Sequence, residues 1–302
     1  MRCFTLVCVL CLCYSSCTEK ETILQKDHTN VIVDDNTAPP YEQVTTVQIQ
    51  NYINKAFIDL LGTEPSPEEL NAYTADLRAG ELSTTVREVF LNDLTSSADY
   101  FQIYYQRLDE IYFGAYLAGT PKSDILDQRN IFNDIYEDYM QAGEVTLAAL
   151  LKVEIDKLDL LLRAFIDYAQ GTIDVNNYMR RICDNGIYEE INMGSENFVL
   201  SCFENFLKRL PTDVELAAGV TMVDGFSSRM LLQDGSSRSD FLDILLNSPG
   251  FYEGLTTDIY SQLLARKPSS EEMGEATLRL TDDRDYQALQ RRVMSSKEYA
   301  GF

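Results

Sequence analysis

His28 is the only histidine among 302 residues. Triads that use an imidazole base, His-ligated metals and axial haem ligation therefore lack their central group elsewhere in the chain. No GxGxxG, GxxxxGK[ST] or GxSxG segment occurs, so nucleotide cradles and serine elbows have no support. Carboxylates are abundant at 48, and with so many, spacing alone singles out no glycosidase-like pair. Asp282, Asp283 and Asp285, with the segments DNG (184–186) and DGSSRSD (234–240), are the nearest approach to a calcium loop. None fits D-x-[DN]-x-[DN]-G with a distal glutamate, and helix-capping aspartates in solvated loops are the better expectation. No metal or cofactor is expected. Cys183 and Cys202 are the two thiols of the folded region, and a disulfide between them or two buried thiols both remain open. The stretch YFQIYYQRLDEIYFGAY (100–116) offers rings to a sugar or peptide, yet its helical spacing and the absence of tryptophan favour a core helix.

One cysteine has a clearer chemistry. Arg2 precedes an apolar run over residues 3–14, too short to span a bilayer, and Ser15 and Ser16 precede Cys17. This layout resembles the lipobox of bacterial lipoproteins, with Tyr14 in place of the usual leucine, as in the looser lipoboxes of the Bacteroidetes. The resemblance implies a signal peptide over 1–16 and a lipid anchor, with palmitate among its acyl chains, on Cys17. Several acyl chains on one residue anchor firmly. Glu19, Lys20 and Glu21 follow, with no aspartate beside the cysteine, which implies an outer-membrane lipoprotein facing the periplasm or the cell surface. Residues 17–45 read as the lipidated cysteine and a tether, carrying Asn36 and Pro39–Pro40 without sustained periodicity.

The chain has 25 basic residues against its 48 acidic ones, a net charge of −23. Such a surface repels nucleic acid and anionic head groups and keeps the protein soluble. Membrane contact is expected through the lipid only. At 45% apolar residues there is ample material for a core.

The folded region repeats one phrase. LLGTEPSPEEL (60–70), FLKRLPTDVEL (206–216) and LLARKPSSEEM (263–273) each end an apolar helix before a proline, Pro65, Pro211 or Pro268. Ser66, Thr212 and Ser269 follow, with Glu69, Glu215 and Glu272 three residues on: the S/T-x-x-E capping box of a new helix. Gly62 supplies a helix stop in the first copy. In the second, Lys208–Arg209–Leu210 replaces the glycine-containing turn. Each repeat closes alike, on Ser97…Tyr100, Ser248…Phe251 and Ser296…Tyr299, where the serine caps a helix and the aromatic packs on the core. The intervals from proline to aromatic are 35, 40 and 31 residues, which predicts related units with loop insertions. Between the first and second copies, Phe101, Tyr104, Tyr105, Leu108, Ile111, Tyr112 and Ala115 follow helical spacing. So do Leu147, Leu150, Leu151, Ile155, Leu158, Leu162, Phe165 and Ile166.

The phrase, with LRAGELSTTVREVFLNDLTSSADYF (77–101) and the SxxY ending, resembles the helical LLGRxP…ExxxxxxxLxxG…SxEY repeat. That repeat belongs to a domain of unknown function in secreted and surface-layer bacterial proteins, with the phycobilisome linker domain as a distant relative. The resemblance covers about 46–105, 196–252 and 255–302; it implies an assembly or attachment role and no catalytic residues. The expected fold is all-α: three related helix–turn–helix units at 46–105, 196–252 and 253–302, with a helical insertion at 106–195. The expected function is a non-enzymatic, lipid-anchored envelope adaptor or structural component with an envelope protein partner. The alternatives are a glycan- or peptide-binding lipoprotein beside an outer-membrane transporter, and a hydrolase using carboxylates alone.

Overall fold

The computed structural model describes residues 44–302, and the fold is all-α with one small β-hairpin. The first unit comprises α1 (Thr46–Leu61), α2 (Pro67–Ala79) and α3 (Thr84–Ser96). Along α1, Ile49, Tyr52, Ile53, Ala56, Phe57, Leu60 and Leu61 are buried, the i, i+3, i+4, i+7 stripe that makes a helix amphipathic. Then come α4 (Ala98–Tyr116), α5 (Lys122–Ala142), α6 (Val145–Ala169), α7 (Val175–Cys183) and α8 (Gly186–Ile191). The second unit begins with α9 (Ser195–Cys202), which widens into a π-helical turn at Phe203–Leu207. It continues with α10 (Asp213–Val223), strands β1 (Ser228–Met230) and β2 (Gln233–Gly235), and α11 (Arg238–Leu246). The third unit is α12 (Pro249–Leu264), α13 (Ser270–Asp283) and α14 (Tyr286–Met294), followed by α15 (Lys297–Ala300).

The antiparallel β1–β2 hairpin, with Arg229 opposite Asp234, sits in the α10–α11 link. It accounts for the second repeat having the longest interval from proline to aromatic. Two unit boundaries move. α4 runs continuously through 105/106, and α12 through 252/253, so the helix that closes the second unit is also the one that opens the third.

The buried face of α4 differs from the expected one. Tyr100, Tyr112, Phe113, Tyr116 and Leu117 are buried, whereas Phe101 and Ile111 are exposed. Aromatic residues occur around much of this helix, so periodicity alone could not choose a face. On α6, Ile155, Leu158, Leu161 and Ala164 are buried, while Leu147, Leu150 and Ile166 are exposed.

The chain's last helices return to its first. α14 packs on α3 and α15 on α1. Tyr52 makes edge contacts with Tyr299 and Phe302, at centroid distances of 6.0 and 5.8 Å. The Tyr299 hydroxyl donates to Asp59 at 2.7 Å. A single hydrophobic core, from Ile49 to Ala300, runs through all three units.

Candidate functional site

The three corners share one backbone geometry. Gly62, Lys208 and Ala265 all adopt the left-handed conformation, at φ 70°, 53° and 53°, three residues before Pro65, Pro211 and Pro268. Glycine enters this region freely, whereas lysine and alanine are strained there by roughly 1 kcal/mol or more. Beyond each proline, Ser66, Thr212 and Ser269 accept the backbone N–H of Glu69, Glu215 and Glu272 at 3.2, 3.3 and 3.3 Å. Those carboxylates accept the cap residues' own N–H at 2.8, 2.8 and 2.7 Å. Ser97, Ser248 and Ser296 likewise accept from the N–H of Tyr100, Phe251 and Tyr299, three aromatics that are buried.

Two corners carry an additional clamp. Arg209 forks onto Glu215 at 2.8 and 2.6 Å and lies over the Phe203 ring. Arg266 forks onto Glu272 at 2.9 and 2.8 Å, lies over the Tyr260 ring and also binds Glu298. The arginine's hydrogen bonds, followed by the capping N–H, hold Glu215 and Glu272 down at about 2. The equivalent residue of the first corner is Thr63. The signal for the clamp was present in the sequence, as an arginine two residues before each of the latter two prolines.

Behind the second corner lies a half-buried polar chain. The Lys208 ammonium pairs with Asp258 at 2.9 Å and donates to the Tyr116 hydroxyl at 3.2 Å. That hydroxyl donates to the Asn205 carbonyl, and the Asn205 amide donates to the Tyr188 hydroxyl at 2.9 Å. Burial raises Asp258 more than Lys208 lowers it. Burial also acts against the Lys208 charge, but Tyr116 and Asp258 outweigh it, and the lysine ends above its ordinary value. Beneath this chain, Cys183 and Cys202 are buried free thiols. Burial pushes Cys183 well above the ordinary thiol range and Cys202 up to about 12. Both therefore stay protonated at neutral pH and are poor nucleophiles.

Four glutamates share one groove. That groove, of about 350 Å³ between α13 and α14, is lined by Glu271, Glu272, Glu275 and Glu298. Arg266 lowers Glu272 and Glu298, and Arg292 binds Glu275 at 2.7 Å. A glycosidase-type acid must hold its proton near neutral pH, and neither Glu272 nor Glu298 does. Of the aspartates weighed for calcium, Asp285 caps α14, Asp283 accepts the N–H of Asp285 and Asp240 that of Ser236, while Asp184 pairs with Lys157 and Arg180 and Asp234 with Arg229. Among the described residues no group of three potential ligands is placed to hold a metal ion. Cys17, the expected lipid anchor, lies outside the described residues. Among those described, no helix is long and apolar enough to cross a membrane.

The insertion provides the most distinctive surface. α5 packs chiefly along α6, tied by Arg129 to Asp159 at 2.8 Å. From Leu126 to Glu154, Ala148 alone is buried. Leu126, Ile131, Ile135, Leu150 and Val153 are exposed, Leu150 to 65%. Sequence periodicity found α6 but gave no stripe for α5, and it did not distinguish a face turned to the core from one turned outward. No protein-family model, curated protein or solved structure matches the chain.

Proposed function

We propose that this protein is a lipid-anchored component of the bacterial cell envelope. It is held at the outer membrane through Cys17 and acts as a non-enzymatic adaptor that binds another envelope protein. The observation that carries the reading is the outer half of the α5–α6 hairpin. Isolated exposed apolar residues need no explanation, but Leu126, Ile131, Ile135, Leu150 and Val153 on two neighbouring helices form a concentration of the kind found at protein–protein contacts. The acidic surface, at a net −23, adds a preference for a basic patch on the partner and makes the association salt-sensitive. The polar chain at Lys208 is internally partnered, which agrees with a structural role for it.

The test is mild cross-linking of the full chain in its native envelope, followed by purification at low and high salt. A defined envelope protein should be retained by the wild type and lost with L150E/V153E, whose helical circular dichroism should be unchanged. Cys17→Ala should lose palmitate labelling and partition into the soluble fraction. Retention of the same partner by L150E/V153E would remove the hairpin from the proposal. A reproducible hydrolytic turnover that one carboxylate variant abolishes would replace the adaptor with an enzyme.

A further inference from the structure

The seam between the first and third units concentrates positive charge on a chain that is otherwise strongly acidic. A groove of about 660 Å³ runs between α3, α13 and α14, and Arg279, Arg291 and Arg292 all line it, with Thr84, Glu88 and Ser295. Among the described residues Arg279 is exposed and makes no ion pair or hydrogen bond. Arg291 approaches Asp285 only to 3.7 Å, beyond hydrogen-bond distance. Arg292 is engaged with Glu275 at 2.7 Å but keeps 43% of its side chain exposed. Glu88 is the one carboxylate lining this groove, while Arg279 and Arg292 also border the neighbouring groove that holds Glu271, Glu272, Glu275 and Glu298.

A fourth arginine stands directly behind. Arg87 is 2% exposed and has no carboxylate partner among the described residues. Its guanidinium donates to the Ser295 carbonyl at 2.7 Å, the Leu82 carbonyl at 2.6 Å and the Thr84 hydroxyl at 3.2 Å. Two of these three acceptor residues, Thr84 and Ser295, are also walls of the groove. The guanidinium also lies 5.7 Å from the centroid of the Phe302 ring, so neutral oxygens and a ring face surround it, and an anion close by adds the full negative charge that these do not supply. Charges at the last turn of α14 also suit that helix's own dipole, which accounts for Arg291 and Arg292 without a ligand. It does not account for Arg279, which projects from a different helix, or for Arg87.

We infer that this groove is a binding site for an oxyanion, a phosphate or carboxylate group gripped by the guanidinium groups of Arg279, Arg291 and Arg292. Guanidinium forks match the planar pair of oxygens that either group presents. All three arginines belong to α13 and α14 of the third unit, and α3 of the first unit forms the opposite wall with Thr84 and Glu88.

Inorganic pyrophosphate and citrate are the probes for the two sources of oxyanion, each titrated by calorimetry and by melting temperature against sodium chloride of matched ionic strength. A ligand that binds only the folded state raises the melting temperature in proportion to the logarithm of its concentration. At least one probe should bind the wild-type chain with saturation at one site. Arg279→Gln, which breaks no contact of the fold, should weaken that binding at least tenfold, and R279Q/R292Q should abolish it. Glu88→Gln should leave it unchanged or tighten it. A melting temperature that rises equally with chloride, or a titration that R279Q leaves unchanged, would overturn the site. Saturation by pyrophosphate alone assigns a phosphate, and by citrate alone a carboxylate.

Discussion

At the scale of single residues, the corner carboxylates Glu215 and Glu272 do two tasks at once. Each caps a helix start through the cap residue's N–H and receives an arginine fork. Both tasks need the ionised form, so both groups are lowered from 4.5 to about 2 in the fold. A carboxyl with a depressed folded-state value adds stability that is complete above its unfolded value and lost as pH falls through the folded one. The window is thus from about 4.5 down to about 2. E215Q/E272Q is expected to be less stable than wild type at pH 7, with the gap closing toward pH 2. Urea midpoints at intervals across that range check it, and a gap independent of pH would show that the two carboxylates are not paired. The side chains are partly exposed, so solvent screening keeps the effect modest.

At the scale of elements, the repeat makes its own comparison. The first corner has Thr63 where the others have Arg209 and Arg266, yet Phe57 and Glu69 stand at the positions of the stacked ring and the forked carboxylate. Thr63→Arg should therefore stabilise the protein by about 0.5 kcal/mol, read as a raised denaturant midpoint with unchanged slope. Gly254 meets the opposite constraint. A Cβ there would lie 2.1 Å from the Phe206 carbonyl oxygen, because α12 crosses the π-helical turn at backbone contact. Gly254→Ala should cost about 1–3 kcal/mol. Gly274→Ala in α13, where a Cβ meets nothing within 4 Å, should instead gain about 0.5–1 kcal/mol, and equilibrium unfolding of both variants separates close approach from helix propensity. These cases also divide what the sequence discloses from what it does not. Proline, cap and glutamate form a local code, and Ser66, Thr212 and Ser269 could be read directly as helix starts. The left-handed turn at Lys208 has no local code, for lysine has no preference for that conformation, and Ala265 adopts the same φ of 53° with no long side chain to hold it; the turn belongs to the corner as a whole. The outward face of α5 and α6 was hidden for a related reason, since an apolar stripe has the same period whether it meets a core or a partner.

At the scale of the whole molecule, the ends of the described chain meet. Repeated helical units that stack in a line unfold in pieces, because each touches only its neighbours. Here α1 and α3 of the first unit pack on α15 and α14, and the connection between Asp59 and Tyr299 joins residues 240 positions apart. No periodicity within a unit encodes such a contact, which joins the first unit to the third. Tyr299 is central to it: 2% exposed, edge-on to Tyr52, beneath the Lys55 ammonium at 3.8 Å from the ring, and donating to Asp59. Tyr299→Ala is expected to cost about 3–5 kcal/mol, as other buried aromatic truncations do, and Tyr299→Phe about 1 kcal/mol through the hydroxyl alone. The distribution of that loss matters more than its size. If the closure makes the units one cooperative body, Tyr299→Ala lowers the wild type's single transition as a whole, and the van't Hoff and calorimetric enthalpies agree before and after the change. If the units are independent, only part of the signal moves and a second transition separates from the first. Amide exchange resolves the same question by position: protection in α10 and α11, which Tyr299 does not touch, should fall together with protection in α1 and α14.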